Sequence, residues 1–253
     1  MLKLLHWDST FFAMNMAEVS TTSPVTNSYF QHAIEKNQLD FIQALCKVDD
    51  ITTIHFLENE RFHLADTKVT FETRIDTNTN TNAQNKSSLE LATEHDFPVL
   101  QNMMTGLFKD SRYSCYPHIF NIEKVDELYK LWVKKSITGA FDDYCLVIKL
   151  NEEIIGFVTI KENLINRKAR IGLLGIDVKH QSHGMGTKLL TELKVFLESR
   201  SIEQLVVSTQ GRNYNALNLY IKCGYRIQKM ESWYYWTRES KEEVQIKLPS
   251  SPR

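Results

Sequence analysis

Gly175-Ile176-Asp177-Val178-Lys179-His180-Gln181-Ser182-His183-Gly184-Met185-Gly186-Thr187-Lys188-Leu189-Leu190 passes from an apolar strand pattern through a short glycine-bearing turn into an amphipathic helix. The turn has the form Gln-x-x-Gly-x-Gly. It leaves successive backbone N–H groups open at a helix N-terminus, where unpaired donors and the positive end of the helix dipole together make an anion site. No Lys-Ser/Thr ending closes it, so it is not an ATP-binding P-loop. Cβ atoms at Gly184 and Gly186 would block close approach of a ligand to the backbone.

The helix over residues 188–199 is followed by the strand pattern Gln204-Leu205-Val206-Val207-Ser208-Thr209. After it comes Asn213-Tyr214-Asn215-Ala216-Leu217-Asn218-Leu219-Tyr220-Ile221-Lys222-Cys223-Gly224-Tyr225, with a helix over 215–222. This order of strand, Gln-x-x-Gly-x-Gly turn, helix, strand and Asn-x-x-Ala-x-x-Leu-Tyr-x-x-x-Gly-Tyr helix resembles the GNAT superfamily of acyl-CoA-dependent N-acyltransferases. The match covers about the last hundred residues. It implies an α/β fold with a mixed central sheet, and acetyl-CoA as co-substrate with no metal.

A closer resemblance lies outside that segment. His6-Trp7-Asp8-Ser9-Thr10-Phe11-Phe12 looks like the opening of the TDP-fucosamine acetyltransferases, which acetylate a nucleotide-linked amino sugar destined for a surface polysaccharide. Asp110-Ser111-Arg112-Tyr113, Gly139-Ala140-Phe141-Asp142, Arg170-Ile171-Gly172-Leu173-Leu174 and Ser208-Thr209-Gln210 continue the likeness. Ala13 stands where a glycine is expected, and Met14-Asn15-Met16 is an unusual continuation; these departures bear on the sugar, not the class.

Composition bounds the alternatives. A chain of 253 residues with 42% hydrophobic content can build a real core. Net charge is −1 and the basic residues are scattered, which gives nucleic acid no footprint. Cys46, Cys115, Cys145 and Cys223 are widely spaced, against a zinc site and against a disulfide framework. The apolar run in residues 1–8 is too short for a signal peptide, and other apolar runs are strand-length, so a cytoplasmic location with no membrane insertion is expected. A homodimer is compatible with the pattern, which does not fix the oligomeric state.

The polar, low-complexity residues 77–88 read as a linker. They divide a small N-terminal half-GNAT-like α/β domain, 1–76, from the acetyltransferase domain, 89–239, with a loose charged tail at 240–253. In the first segment the patterns predict a strand over 17–20, a helix over 28–45 and strands over 51–56 and 69–75. In the second they predict a strand at 89–91, helices from about residue 93 and over 123–137, and a hairpin from 144–150 and 154–161. A long apolar strand over 169–178 and a last strand over 233–237 complete it. Pro98 fits the first turn of its helix.

The resemblance assigns roles. Backbone groups of Gln181, Ser182, His183, Gly184, Met185, Gly186 and Thr187 would hold the pyrophosphate. Leu174, Ile176 and Val178 would pair with the pantetheine arm and offer an N–H to the developing oxyanion. Asn213 and Ala216 would lie by that arm, although an Asn there equally suits a helix cap. Tyr220 falls where such enzymes hold a tyrosine near the sulfur. A phenol of pKa about 10 keeps its proton where a thiol of about 8.5 begins to lose its own; a packed core aromatic is the alternative.

The acceptor amine must be neutral to attack. By the resemblance, Asp66 aligns with an acidic residue of the sugar acetyltransferases and Glu162 falls where other GNAT enzymes place a base. Either could take the proton, either could be a solvated surface charge, and an amine of lowered pKa would need no dedicated base. Ser111, Arg112 and Tyr113 lie where the superfamily varies to choose acceptors. An Arg fork suits a diphosphate and an aromatic ring suits a nucleobase, with interdomain packing as the competing reading. Trp7, Phe11 and Phe12 are expected to pack. The expected activity is acetyl transfer to a TDP-linked amino sugar. Its rivals are transfer to a protein N-terminus, polyamine or antibiotic, and a silent acyl-CoA-binding module.

Overall fold

Strand β8 (Lys168–Ile176) pairs in parallel with β9 (Gln204–Gln210) only from Lys168↔Gln204 to Ile171↔Val207, and both strands then run on unpaired with each other. The rest of the fold frames that gap. The computed structural model describes residues 2–20, 27–75 and 87–238. Most of the expected linker and all of the expected tail lie outside the described residues.

In chain order the remaining elements are β1 (Leu2–Leu4), α1 (His6–Phe12), β2 (Met16–Val19), α2 (Asn27–Lys36), β3 (Phe41–Lys47), α3 (Ile51–Asn59) and β4 (His63–Arg74). Then come β5 (Glu90–Leu91), α4 (Phe97–Met104), α5 (Ile122–Ile137), β6 (Tyr144–Leu150) and β7 (Glu153–Asn163) ahead of β8. Helix α6 (Met185–Glu198) precedes β9, and α7 (Tyr214–Lys222) and β10 (Arg226–Thr237) follow it. All ten strands join one mixed sheet in the order β1-β2-β3-β10-β4-β9-β8-β7-β6-β5. The parallel neighbours are β2 with β3 and β8 with β9, each joined through a crossover helix. Strand β4, from the N-terminal segment, lies between β10 and β9, so the sheet is continuous across residue 77.

Helices cover both faces. Leu189, Leu190, Leu193 and Leu197 of α6 and Tyr220 of α7 pack with Val69, Phe71, Ile171 and Val207 on one face. That α6 spacing of one and three to four residues is the apolar stripe of a helix on a sheet. Helices α2 and α3 continue the same layer over the N-terminal strands through Phe30, Ile34 and Leu57. The opposite face carries α4, α5 and the segment 105–121, with Met104, Phe120, Val133, Phe157 and Leu173 buried together.

The structure corrects several expected elements. The helix expected over 28–45 ends at Lys36, and Phe41–Lys47 is a buried strand. Gln38 at φ 47° turns the chain between them. Residues 51–56, expected as a strand, open helix α3: Asp50 accepts from the Thr53 N–H at 3.1 Å and the Thr53 hydroxyl at 2.6 Å, a side-chain cap that outweighs the β-branched Ile-Thr-Thr-Ile run. Strand β8 stops at Ile176; Val178, expected as its last residue, instead starts a single 3-10 turn capped by Asp177. The last strand is longer than expected, beginning at Arg226.

Candidate active site

The gap between β8 and β9 has a readable chemistry. Leu173 turns its N–H toward β7, donating to Thr159 Oγ1 at 2.9 Å, and Asp177 donates its N–H to the β7 carbonyl of Ile155 at 2.9 Å. Backbone polar groups alternate edges along a strand. Leu174 and Ile176 therefore turn theirs into the gap. The Ile176 carbonyl is met there by Gln181 Nε2 at 2.9 Å. The backbone of Leu174 and the N–H of Ile176 face the gap, beyond the last β8–β9 pair.

Below Gln181 the chain makes a tight turn, with Ser182 at φ 64° and Gly184 at φ 77°. Both lie in the left-handed region, where glycine avoids the strain a side chain brings. Gly184 is the N-cap of α6 and supplies no side-chain cap, so the first-turn N–H groups, Met185 to Thr187, face outward uncapped. His183 Nδ1 lies 2.6 Å from the Gln181 carbonyl, which fixes the turn from outside. The two glycines differ in what they do. A Cβ at Gly184 would meet nothing within 4 Å, whereas one at Gly186 would stand 3.1 Å from Leu219 of α7. Gly186 is there chiefly to let α6 and α7 close together.

That contact brings α7 to the site. Its N-cap Asn213 accepts from the Ala216 N–H at 3.1 Å, so this pair serves as a helix cap. Tyr220 is buried beside Phe71 and Tyr225, with ring centroids 5.5 and 5.6 Å away, in the same apolar cluster as Leu174 and Ile176. Burial raises its pKa above the usual phenol value, with the nearby Cys223 thiol adding to the shift.

The acceptor candidates divide. Asp66 is buried on β4, with Oδ1 accepting from the Thr67 N–H at 2.7 Å and lying 3.4 Å from Arg212 Nε. Its Oδ2 is buried with no hydrogen-bond partner among the described residues. Burial raises its pKa, against the pull of Arg212. Glu162 is elsewhere. It pairs with Ala169 at the far end of β8, about 16 Å along the strand from Leu174. Arg200 grips both its oxygens, at 2.6 and 2.8 Å, and the Tyr144 hydroxyl adds a third bond. The structure thus places Glu162 in an ion-pair network and not with the gap, because β8 and β9 are still paired there.

Ser111 is buried and bonded to Ser114 Oγ at 2.8 Å. Arg112 is held on both faces, its guanidinium carbon 4.0 Å from the Tyr113 ring centroid and 4.1 Å from that of Trp233. Its Nη1 donates to Gln43 Oε1 at 2.9 Å and to the Tyr235 hydroxyl at 2.7 Å, and Nη2 donates to the Tyr113 hydroxyl. All three acceptors are neutral, and among the described residues no carboxylate forms an ion pair with it. The residues that the sequence reading missed are Arg212, Tyr116 and Trp233. Arg212 ties the end of β9 to β4 by donating to the Ala65 carbonyl at 2.6 Å, and the Tyr116 hydroxyl donates to the same carbonyl at 3.1 Å. Position after a strand's C-terminal end, where open α/β sheets bind ligands, was the available signal for Arg212.

Residues 107–225 match the acetyltransferase (GNAT) family. The chain carries a GNAT acetyltransferase domain. As such it is an acetyl-CoA-dependent N-acetyltransferase. Over 232 residues it is 26% identical to the dTDP-fucosamine acetyltransferase of Escherichia coli O6:H1, covering 91% of this chain and 96% of that protein. It is 24% identical over 114 residues to human N-alpha-acetyltransferase 30, covering 44% of this chain and 32% of that one. The fold matches a solved GCN5-related N-acetyltransferase from Sphaerobacter thermophilus with TM-score 0.62 and 12% identity, covering 93% of this chain and 76% of that chain.

No helix among the described residues is long and apolar enough to cross a membrane.

Proposed function

We propose that the chain moves the acetyl group of acetyl-CoA to the amine of a nucleotide-linked amino sugar, with TDP as the nucleotide. One observation carries this reading: the likeness to dTDP-fucosamine acetyltransferase runs over 91% of the chain, whereas that to the human N-alpha-acetyltransferase covers 44%. The first likeness is too long to leave out the N-terminal strands and helices, and it also takes in 96% of the relative.

The residues present fit the donor. Uncapped N–H groups of 185–187 suit a pyrophosphate, and the gap-facing backbone of Leu174 and Ile176 suits the amides of a pantetheine arm. Acetyl-CoA supplies an activated thioester. Leu174 offers its N–H where an acyl oxygen would gather negative charge. Tyr220 keeps its proton at neutral pH, because burial raises its pKa, and donates to the departing sulfur. Asp66 takes the proton of the amine: burial makes it more basic than a surface carboxylate, and its buried Oδ2 has no hydrogen-bond partner among the described residues. Glu162 is assigned to structure. Arg112, a cation with no ion-paired carboxylate among the described residues, favours an anionic acceptor over a polyamine.

A free-thiol release assay tests the proposal, using acetyl-CoA with TDP- and UDP-linked amino sugars, spermidine and a peptide amine. Thiol release with a nucleotide sugar alone supports it. Release with spermidine or the peptide alone overturns it.

A further inference from the structure

Strand β8 can leave β9 only by bending, and the bend is held by side chains. Between Val158↔Leu174 and Ile160↔Ile171, β7 advances two residues while β8 advances three. The surplus falls at Gly172 and Leu173, opposite Thr159. This is a β-bulge, in which an extra residue re-aims the groups beyond it. The bulge coincides with the last β8–β9 pair, Ile171↔Val207.

The Leu173 N–H donates to Thr159 Oγ1 at 2.9 Å, and the Thr159 hydroxyl donates to Asp142 Oδ2 at 2.7 Å. Asp142 also accepts from Trp132 Nε1 on α5 at 2.7 Å and, through Oδ1, from Arg170 Nη2 on β8 at 2.8 Å. Thr159 and Asp142 are both fully buried. A Cβ at Gly172 would stand 2.0 Å from Asp142 Oδ2, so the carboxylate fills the place of the side chain that position 172 lacks. One carboxylate thus joins α5, β7 and both sides of the bulge. None of these groups faces the gap, and none enters the acid–base chemistry proposed above.

We infer that Thr159 and Asp142 are positioning residues for acetyl transfer, fixing the bulge so that the backbone of Leu174 faces the β8–β9 gap. The inference rests on the proposed role of the Leu174 N–H. Its physical basis is the two-residue period of a strand. If the surplus residue slips out of the bulge, the edges that Leu173 and Leu174 face are exchanged. The side-chain acceptor on Thr159 gives the Leu173 N–H a partner only in the bulged register. Asp142 holds that hydroxyl with its lone pair toward Leu173.

Thr159→Val tests this, since valine keeps the shape and removes the hydroxyl. Three quantities are read: turnover, the affinity for CoA, and the amide resonances of Leu173 and Leu174 in the protein without substrates. The expected result is shifted resonances for both amides and turnover lower by about tenfold or more, with CoA affinity falling by less than turnover because the 185–187 N–H groups and Ile176 still hold the donor. Thr159→Ser, which restores the hydroxyl, should return turnover to within about threefold of the parent. If Thr159→Val does not fold, Trp132→Phe decides: it withdraws one donor from Asp142 outside the strands, and should shift the same amides and lower turnover by more than it lowers CoA affinity. Unmoved amides overturn the proposed lock. Shifted amides with full turnover also overturn the inference, and remove the Leu174 N–H from the mechanism. Turnover equally low in Thr159→Ser reduces Thr159 to packing.

Discussion

Arg212 Nε lies 3.4 Å from one carboxylate oxygen of Asp66, while the other oxygen is buried with no hydrogen-bond partner among the described residues. A buried acceptor left open beside a cation is costly unless something fills it. The acceptor amine is the group this account places there.

Asp66→Asn keeps the shape and removes the base. Turnover should fall by about 10²-fold or more at neutral pH, with CoA affinity unchanged. In the parent, kcat/KM should rise with pH along a limb whose midpoint lies above the ordinary Asp value, and the variant should lack that limb. The stability sign follows separately. Because burial raises the native pKa, the folded state holds this proton more tightly than the unfolded chain. Asp66 therefore costs stability as pH rises from the unfolded value through the native one, and Asp66→Asn should gain on the parent in urea melts taken from about pH 3 to about pH 6.

Tyr220→Phe should lower turnover about 10²-fold while leaving CoA affinity and the melting temperature nearly unchanged. The ring packs against Phe71 and Tyr225 and stays in place without its hydroxyl. Full turnover in steady-state assays would remove Tyr220 from the chemistry.

Glu162→Gln should do the reverse. Its carboxylate is bound by Arg200 at both oxygens, so the variant should unfold more easily, by about 1–2 kcal/mol in a urea titration, since Arg200 itself is partly solvated. Activity at permissive temperature should stay within about threefold, below the scale of a lost general base.

Gly186→Val places branched carbons where even a Cβ would stand 3.1 Å from Leu219. Leu219 must give way, and the strain falls on the α6–α7 contact that sets the uncapped N–H groups beside Tyr220. Calorimetry should show CoA bound at least about tenfold more weakly, together with a loss of stability of about 1–3 kcal/mol from overpacking.

The turn and helices of the proposed donor half were legible because short segments determine them locally. The turn from Gln181 to Gly186 and the Asn213–Tyr220 helix carry their own cap and glycine signals, and the structure sets them side by side through Gly186 and Leu219. The roles of Leu174, Ile176 and Val178 came from the resemblance alone; the edge that Leu174 faces depends on the bulge opposite Thr159, and Val178 lies beyond the end of β8. Elements in the N-terminal segment were harder. Phe41, Ile42 and Leu45 fit a helical spacing as well as a buried strand, and only pairing with β2 and β10 decides between them. Glu162 looked catalytic by its place near the central strand. Which end of that strand opens depends on where β9 parts from β8, which is a tertiary fact. Arg212 and Asp142 owe their importance to partners on other strands, Asp66 and Thr159, and no local pattern announces such pairs.

The most direct test of the central claim is a competition. Equal amounts of a TDP-linked amino sugar, spermidine and a peptide amine are offered together with limiting acetyl-CoA, and the products are read by mass spectrometry. The acetyl group is expected to go to the nucleotide sugar nearly alone. Acetylated peptide or spermidine as the main product would contradict it.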